Sequence, residues 1–422
     1  MVRRRVVVTG LGLVTPVGST VDDFWANLMA GRSGVGPTTR FDTSRCPVKT
    51  SAEITDFDPQ AYGISTRDIR VLDRYQRYVL AAAEMAVRDA SLDLPRNEIV
   101  SRRKSGRRFE QFGAGIGVAF SSAEVLEQQF RGLAEQGSRG VSPRLFNMTL
   151  PNSATSLLSI RHGLRGPLMT VSGASASGAE SIIMAYERIR YGRALVMLAG
   201  GAESPVTELV VAGFAQNRTG SRTGTCRPFD RNRDGTVLGE GAGVLILEER
   251  DHAIRRGARV YGEVLGHGQR GDAFDMSDIP PGDAPGMSAC LIEALADAGV
   301  APTDIGYVNV HGTATRGNDP AEATALRKVF GTHVDQVRVS GIKGSTGHML
   351  GGSGAVELIT ALLASCRDEV PPSHGLRDVD PDCVLHHVIG VGERTLVSAA
   401  ISTSVGMGGN NSAIVVCGSA PS

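Results

Sequence analysis

The 422-residue sequence predicts a layered α/β protein with a mostly parallel sheet. Three observations carry that expectation. Short β-branched runs recur along the chain, amphipathic helical stretches separate them, and glycine, at 53 residues, is roughly twice as frequent as in ordinary proteins, which implies many close backbone approaches. Strands alternating with helices call for crossover connections, and those build parallel sheets. The length suits a large core divided between two packed halves.

The first strand is expected at Arg5 to Val8, entering a turn at Gly10 and Gly12. Arg3, Arg4 and Arg5 ahead of apolar residues imitate a secretory leader, but Thr9 and Thr15 interrupt the apolar run and no small-residue cleavage site follows. Helices are expected over Val21 to Ala30 and Tyr75 to Ala90, where Val79, Ala82, Ala83 and Ala86 share a face. Further strands read from Ala114 to Val118, Leu195 to Leu198 and Val244 to Leu247. Around the first of these, Gln111 to Leu150 fits the alternation poorly and reads as loops and excursions. A helix over Met287 to Ala298 and strands at Tyr307 to Val310 and Ala413 to Val416 complete the pattern. No run approaches the ~18 apolar residues of a membrane span, so no membrane association is expected.

Lysine plus arginine equals aspartate plus glutamate, 44 against 44, so no global field favours a polyanion. A basic cluster, Arg102, Arg103, Lys104, Arg107 and Arg108, lacks interleaved aromatics and reads as a solvated loop rather than a nucleic-acid surface. The six cysteines are far apart with no C-x-x-C pair, which argues against a metal site and a disulfide framework and for a reducing cytoplasm. Gly10 and Gly12 lack the full dinucleotide spacing, so no cofactor is expected there.

The chain echoes itself. Val171-Ser172-Gly173 and Val339-Ser340-Gly341 each precede small residues and a helix, as a duplicated strand-turn-helix unit would. The boundary between halves falls after the charged exit Glu248-Glu249-Arg250, giving residues 1–251 and 252–422.

The first echoed turn, Thr170 to Gly178, feeds a helix marked by Ala179, Ile182, Ile183, Tyr186 and Ile189. Residue 175 then sits where unpaired N–H groups and the positive end of a helix dipole converge, which favours a thiolate or an oxyanion. Two readings stand here: Ser175 is a reactive group, or Ser175 and Ser177 cap the helix. His311 leaves a strand directly into a glycine-threonine turn, as active-site loop residues do, and His348 lies at the second echoed turn; each is also compatible with a structural role. The other seven histidines have only the structural reading.

Taken together, Val8-Thr9-Gly10-Leu11-Gly12, Arg227-Pro228-Phe229-Asp230, Gly239-Glu240-Gly241-Ala242-Gly243, His311-Gly312-Thr313, Lys343 through His348, and Gly406 through Asn411 occur in an order that resembles elongating β-ketoacyl-acyl-carrier-protein synthases of the thiolase superfamily, along the whole chain. The resemblance implies a five-layered αβαβα fold of two related halves, usually dimeric, as a homodimer or with a related ketosynthase, and an acyl carrier protein partner bearing phosphopantetheine. It implies decarboxylative Claisen condensation of an acyl chain with a malonyl thioester. By that likeness the nucleophile site is Ser175, the histidines are His311 and His348, Lys343 supports the second histidine and Glu357 is its acidic neighbour. Thr313 and Thr315 match contacts to the pantetheine arm, the N–H groups of residues 175 and 407 match an oxyanion hole, and Val405, Met407 and Gly408 match the tunnel gate. The family docks its carrier near a helix that Arg67, Arg70, Arg74 and Arg77 precede here, and a basic surface suits an acidic partner.

The departure is serine where the family has cysteine. A helix dipole supplies up to about 2 kcal/mol, enough to help ionise a thiol of pKa ~8.5 but not a hydroxyl, so Ser175 needs a general base, and only His311 or His348 is available. That use competes with the histidines' part in decarboxylation. Three functions remain open: a condensing enzyme carrying a serine, a serine acyltransferase or malonyl decarboxylase, and a non-catalytic partner that sets chain length. The gate also departs, with valine and methionine where the family commonly has phenylalanine; methionine is the more flexible side chain.

Overall fold

The computed structural model describes residues 3–101, 104–280 and 282–419. Arg102 and Arg103 of the basic cluster lie outside the described residues. Ten strands form the main sheet: β1 (Val6–Val14), β2 (Phe112–Gly117), β3 (Leu168–Val171), β4 (Val196–Glu203), β5 (Gly241–Glu249), β6 (Gly262–Gly271), β7 (Ile305–Asn309), β8 (Arg338–Ser340), β9 (Ala399–Gly406) and β10 (Asn410–Gly418). Across the sheet they run β8-β7-β9-β10-β6-β1-β5-β4-β2-β3.

That order contains a repeat. β3-β2-β4-β5-β1 and β8-β7-β9-β10-β6 are the same arrangement, with the first three strands parallel and the last two antiparallel in each. The repeats meet where Val6–Val8 of β1 pairs antiparallel with Gly262–Val264 of β6. The echoed triplets sit at the end of the third strand in both repeats, so the two turns occupy equivalent places.

The expected mostly parallel sheet is corrected to a mixed one. β9 and β10 are joined by a hairpin at Gly406–Asn410 with no helix between them, which forces antiparallel pairing. β9, with the sequence AAISTSVG, alternates β-branched Ile401, Thr403 and Val405 with small residues instead of forming a continuous β-branched run, and the sequence pattern passes over it.

The longer helices are α1 (Val21–Met29), α2 (Arg74–Asp89), α3 (Ala123–Gln136), α4 (Ser153–His162), α5 (Ser177–Arg190), α6 (Glu208–Gln216), α7 (Pro285–Ala298), α8 (Asn318–Phe330) and α9 (Ser353–Arg367). Tyr75, Val79 and Ala82 of α2 and Leu158 of α4 pack on Ile116, Leu198 and Val244 on one outer face. Leu291 and Ala294 of α7 and Leu326 of α8 pack on Val308, Ile401 and Val415 on the other. Between the half-sheets lie Ile182 and Ile183 of α5 with Leu358, Ile359 and Leu362 of α9. The result is five alternating layers. α9 is buried from Ser353 to Ala364, the mark of a helix with core on all sides.

Besides the expected strand, found as β2, the stretch read as loops around residues 111–150 holds the fourteen-residue α3. That helix buries only Ala123 and Val125 and leaves Phe130 and Leu133 exposed, so most of its apolar stripe faces no core among the described residues.

Candidate active site

β3 ends at Val171, and a single 3-10 turn, Ala174–Ala176, leads into α5. Ala174 has φ +52°, an uncommon conformation for a residue with a side chain. The turn is hemmed in: a Cβ on Gly406 would lie 2.3 Å from the Gly173 carbonyl oxygen, and one on Gly178 2.6 Å from that of Gly351. Close backbone approach of this kind requires glycine. It brings together three segments distant in sequence, namely the turn before α5, the β9–β10 hairpin and the turn before α9.

Ser175 emerges 8% exposed, with Oγ 2.9 Å from Nε2 of His348. It does not cap α5. The N-cap position is Ala176, with no side-chain bond, and the Ser177 hydroxyl accepts the Gly173 N–H at 2.9 Å. The capping reading of Ser175 therefore fails.

His311 follows β7 through a turn in which Gly312 has φ +46°. The N–H groups of His311 and Gly312 donate to the carboxylate of Glu322 on α8 at 2.8 and 2.9 Å, and the Thr403 hydroxyl donates to it at 2.6 Å. Glu322 thus ties His311 to β9, a role that no local sequence pattern marks. The rings of His311 and His348 meet edge to face, with centroids 5.4 Å apart.

Lys343 is fully buried, ion-paired with Glu357 of α9 and hydrogen-bonded to the carbonyl of His311. Its Nζ lies 3.2 Å from Nδ1 of His311. The resemblance placed this lysine behind the second histidine, whereas its direct contact is with the first. An ammonium only donates, so Nδ1 of His311 accepts and the ring proton resides on Nε2. Burial, reinforced by the Lys343 charge, holds both His311 and His348 well below the ordinary imidazole range, so both are neutral at neutral pH. Burial also raises the Glu357 carboxyl, against the pull of Lys343.

The other ring nitrogen of His348, Nδ1, lies 3.2 Å from the hydroxyl of Ser353, which also accepts the Met349 N–H at 2.9 Å. Ser353 is a residue the sequence reading passed over.

A cavity of about 100 Å³ is lined by Ser175, His311, Thr313, Thr315, His348, Val405, Met407 and Gly408, all named from the sequence. It is also lined by Phe214 of α6, Asp272, Ile279 and Asn318, which were not. Met407 is the tip of the β9–β10 hairpin, and the Asn411 side-chain amide bonds Asp272 at 2.9 Å beneath it. Asp272 and Ile279 belong to an irregular segment with no periodicity, so only the folded chain reveals them.

The four arginines do not form one surface. Asp73 starts a new helix, its N–H donating to the Gln76 side chain at 2.9 Å, so Arg67 and Arg70 belong to a separate short helical turn and are exposed. Arg74 is instead held by Glu124 at 2.9 Å and the Val206 carbonyl at 3.2 Å, and Arg77 by the Leu72 carbonyl at 2.7 Å. Those two are corrected to structural residues.

Comparison with known proteins bears on the family and the fold. A family model described as the β-ketoacyl synthase N-terminal domain matches residues 3–253, and one described as its C-terminal domain matches residues 261–377. The chain is 38% identical over 414 residues to 3-oxoacyl-[acyl-carrier-protein] synthase 2 of Synechocystis sp., covering 97% of both proteins. Its fold matches the ishigamide ketosynthase/chain length factor with a TM-score of 0.90 at 31% identity, covering 99% of this chain and 100% of that one. It also matches the structure of a type II PKS acyl-carrier protein in complex with its ketosynthase bound to the hexaketide, with a TM-score of 0.87, 30% identity and the same coverage.

Proposed function

The chain belongs to the β-ketoacyl synthase family, and from that premise we propose that it elongates an acyl chain by decarboxylative condensation with a malonyl carrier thioester, holding the acyl group as an oxygen ester on Ser175. The observation that supports this most is the 2.9 Å bond between Ser175 Oγ and His348 Nε2 at the floor of the cavity. It supplies the base that a serine nucleophile lacks.

Ser175 attacks the carbonyl of an acyl carrier thioester while His348 takes its proton and returns it to the departing thiol. Malonyl carrier then binds through Thr313 and Thr315. His311, with its proton on Nε2, donates to the malonyl thioester carbonyl and stabilises the enolate left as carbon dioxide departs. The enolate carbon attacks the ester carbonyl, the C–O bond to Ser175 breaks, and the released alkoxide takes a proton that His348 draws from solvent. One proton is consumed per turnover. Lys343 and Glu357 keep His311 oriented, and Val405, Met407 and Gly408 form the gate. The partner is a phosphopantetheine-bearing acyl carrier protein, which brings the arm with it, and the working unit is a dimer with itself or a related ketosynthase. The six cysteines are free and no helix among the described residues could cross a membrane, which supports action in the cytoplasm.

Mass spectrometry after incubation with hexanoyl carrier protein is expected to show a carrier-free acyl adduct on Ser175. Ser175→Cys is expected to raise the rate of condensation. An unmodified Ser175, together with a Ser175→Cys protein that does not condense, overturns this reading. Co-purification of a cysteine-bearing relative with such an inert chain would instead support the chain-length partner.

A further inference from the structure

The use of His348 as a base conflicts with the family-like expectation that both histidines act on the malonyl group. The resolution lies on the far side of the ring. Nδ1 of His348 faces neither a carboxylate nor a backbone carbonyl but the hydroxyl of Ser353, the first residue of α9, which is 1% exposed. That hydroxyl already accepts the Met349 N–H, so its position is set by the backbone of the same turn. A hydroxyl oxygen has two lone pairs and one proton, so it can accept from a ring N–H as well as donate to a bare ring nitrogen.

Resting on the reading of Ser175 as an acyl acceptor, we propose that Ser353 is the positioning residue that makes His348 the general base for Ser175, by accepting the Nδ1 proton and leaving the Nε2 lone pair directed at Oγ. The second nitrogen of a catalytic histidine generally sets the tautomer through its own hydrogen bond. His311 shows the same rule in the opposite sense, since its Nδ1 faces an ammonium and its proton must lie on Nε2. The two rings therefore present complementary atoms to one cavity, a lone pair from His348 beside Ser175 and an N–H from His311.

The Ser175 Oγ–H bond breaks as Oγ bonds the acyl carbon; the proton moves to Nε2, and the imidazolium keeps its Nδ1–H bond to Ser353. As the C–S bond breaks, Nε2 returns the proton to the thiolate and the ring is again neutral with Nδ1 protonated. The titratable groups around the ring are Lys343, paired with Glu357, and the neutral His311; among the described residues no carboxylate bonds the His348 ring to hold the imidazolium. Its partners are hydroxyls on both sides, which suits transient rather than lasting protonation.

The test uses the full chain and the small thioester hexanoyl-N-acetylcysteamine, with acylation followed by mass spectrometry in four proteins: unmodified, Ser353→Ala, Ser175→Cys, and Ser175→Cys with Ser353→Ala. Ser353→Ala is expected to slow serine acylation by about 10²-fold, the low end of what a positioned base contributes. The loss on serine is expected to be about tenfold or more greater than on cysteine, because a thiol is activated by the helix terminus without a matched tautomer. Ser353→Thr keeps the hydroxyl and is expected to restore most of the rate. Nitrogen-15 NMR of the unmodified protein is expected to find the resting His348 proton on Nδ1. Equal losses on serine and cysteine, or a resting proton on Nε2, overturn the inference. If Ser175 does not acylate in any protein, the function above fails and the NMR result alone decides the tautomer.

Discussion

At the scale of single residues, the site turns on which atom carries a proton. His311 and His348 are both buried beside the Lys343 charge, and both are depressed well below pH 6.5. A depressed imidazole stays neutral until the pH falls beneath its folded value. The rate of Ser175 acylation is therefore expected to be flat from pH 8 down to about 6.5, with its acid limb well below that value; a midpoint above 6.5 in a pH–rate profile contradicts this. The sign for stability is the same. The unfolded chain takes up protons at its histidines below pH 6.5 while the folded one does not, so their contribution is complete above that pH and is lost as the pH falls. Ser175, His311, Lys343 and His348 were legible in the sequence because each stands in a short motif. Ser353 was not, since one serine at the start of a helix carries no signal until the fold sets its hydroxyl against a ring nitrogen.

At the scale of elements, backbone contact governs the geometry. The turn before α5, the turn before α9 and the β9–β10 hairpin approach so closely that side chains are excluded at Gly178 and Gly406. Gly178→Ala is expected to cost about 1–3 kcal/mol by overpacking, and also to separate Ser175 from His348 and depress acylation beyond the stability loss. Gly213, inside α6 with open space for 4 Å around the place an added methyl would take, is the control. Gly213→Ala is expected to stabilise by about 0.5–1 kcal/mol, and chemical denaturation with acylation rates on both variants checks the contrast. Helices α1, α2 and α7 were readable within a residue or two because each has a buried stripe. α3 was missed since its stripe faces outward, and β9 since its β-branched residues alternate with small ones instead of forming a run.

At the scale of the whole molecule, the duplicated strand order places two equivalent turns, one bearing Ser175 and one bearing His348, on the two middle-layer helices. Partner recognition belongs to this scale as well. Arg67 and Arg70 are exposed, whereas Arg74 and Arg77 are bound internally. Arg67→Glu with Arg70→Glu is expected to weaken binding of an acidic carrier protein about tenfold or more and to reduce its salt dependence; Arg74→Ala is expected to lower thermal stability instead. Titration calorimetry at two salt concentrations, with thermal melts, separates the two. The motifs, their order, the internal echo and the serine in the nucleophile position were determined by the sequence alone, because each is a local pattern of residue types. The mixed pairing of the sheet, the lysine's choice of histidine, the inward turn of two arginines and the Ser353–His348–Ser175 chain were decided only by the tertiary structure. Each depends on which distant backbones approach closely enough for a hydrogen bond, and that distance is a property of packing rather than of any one segment.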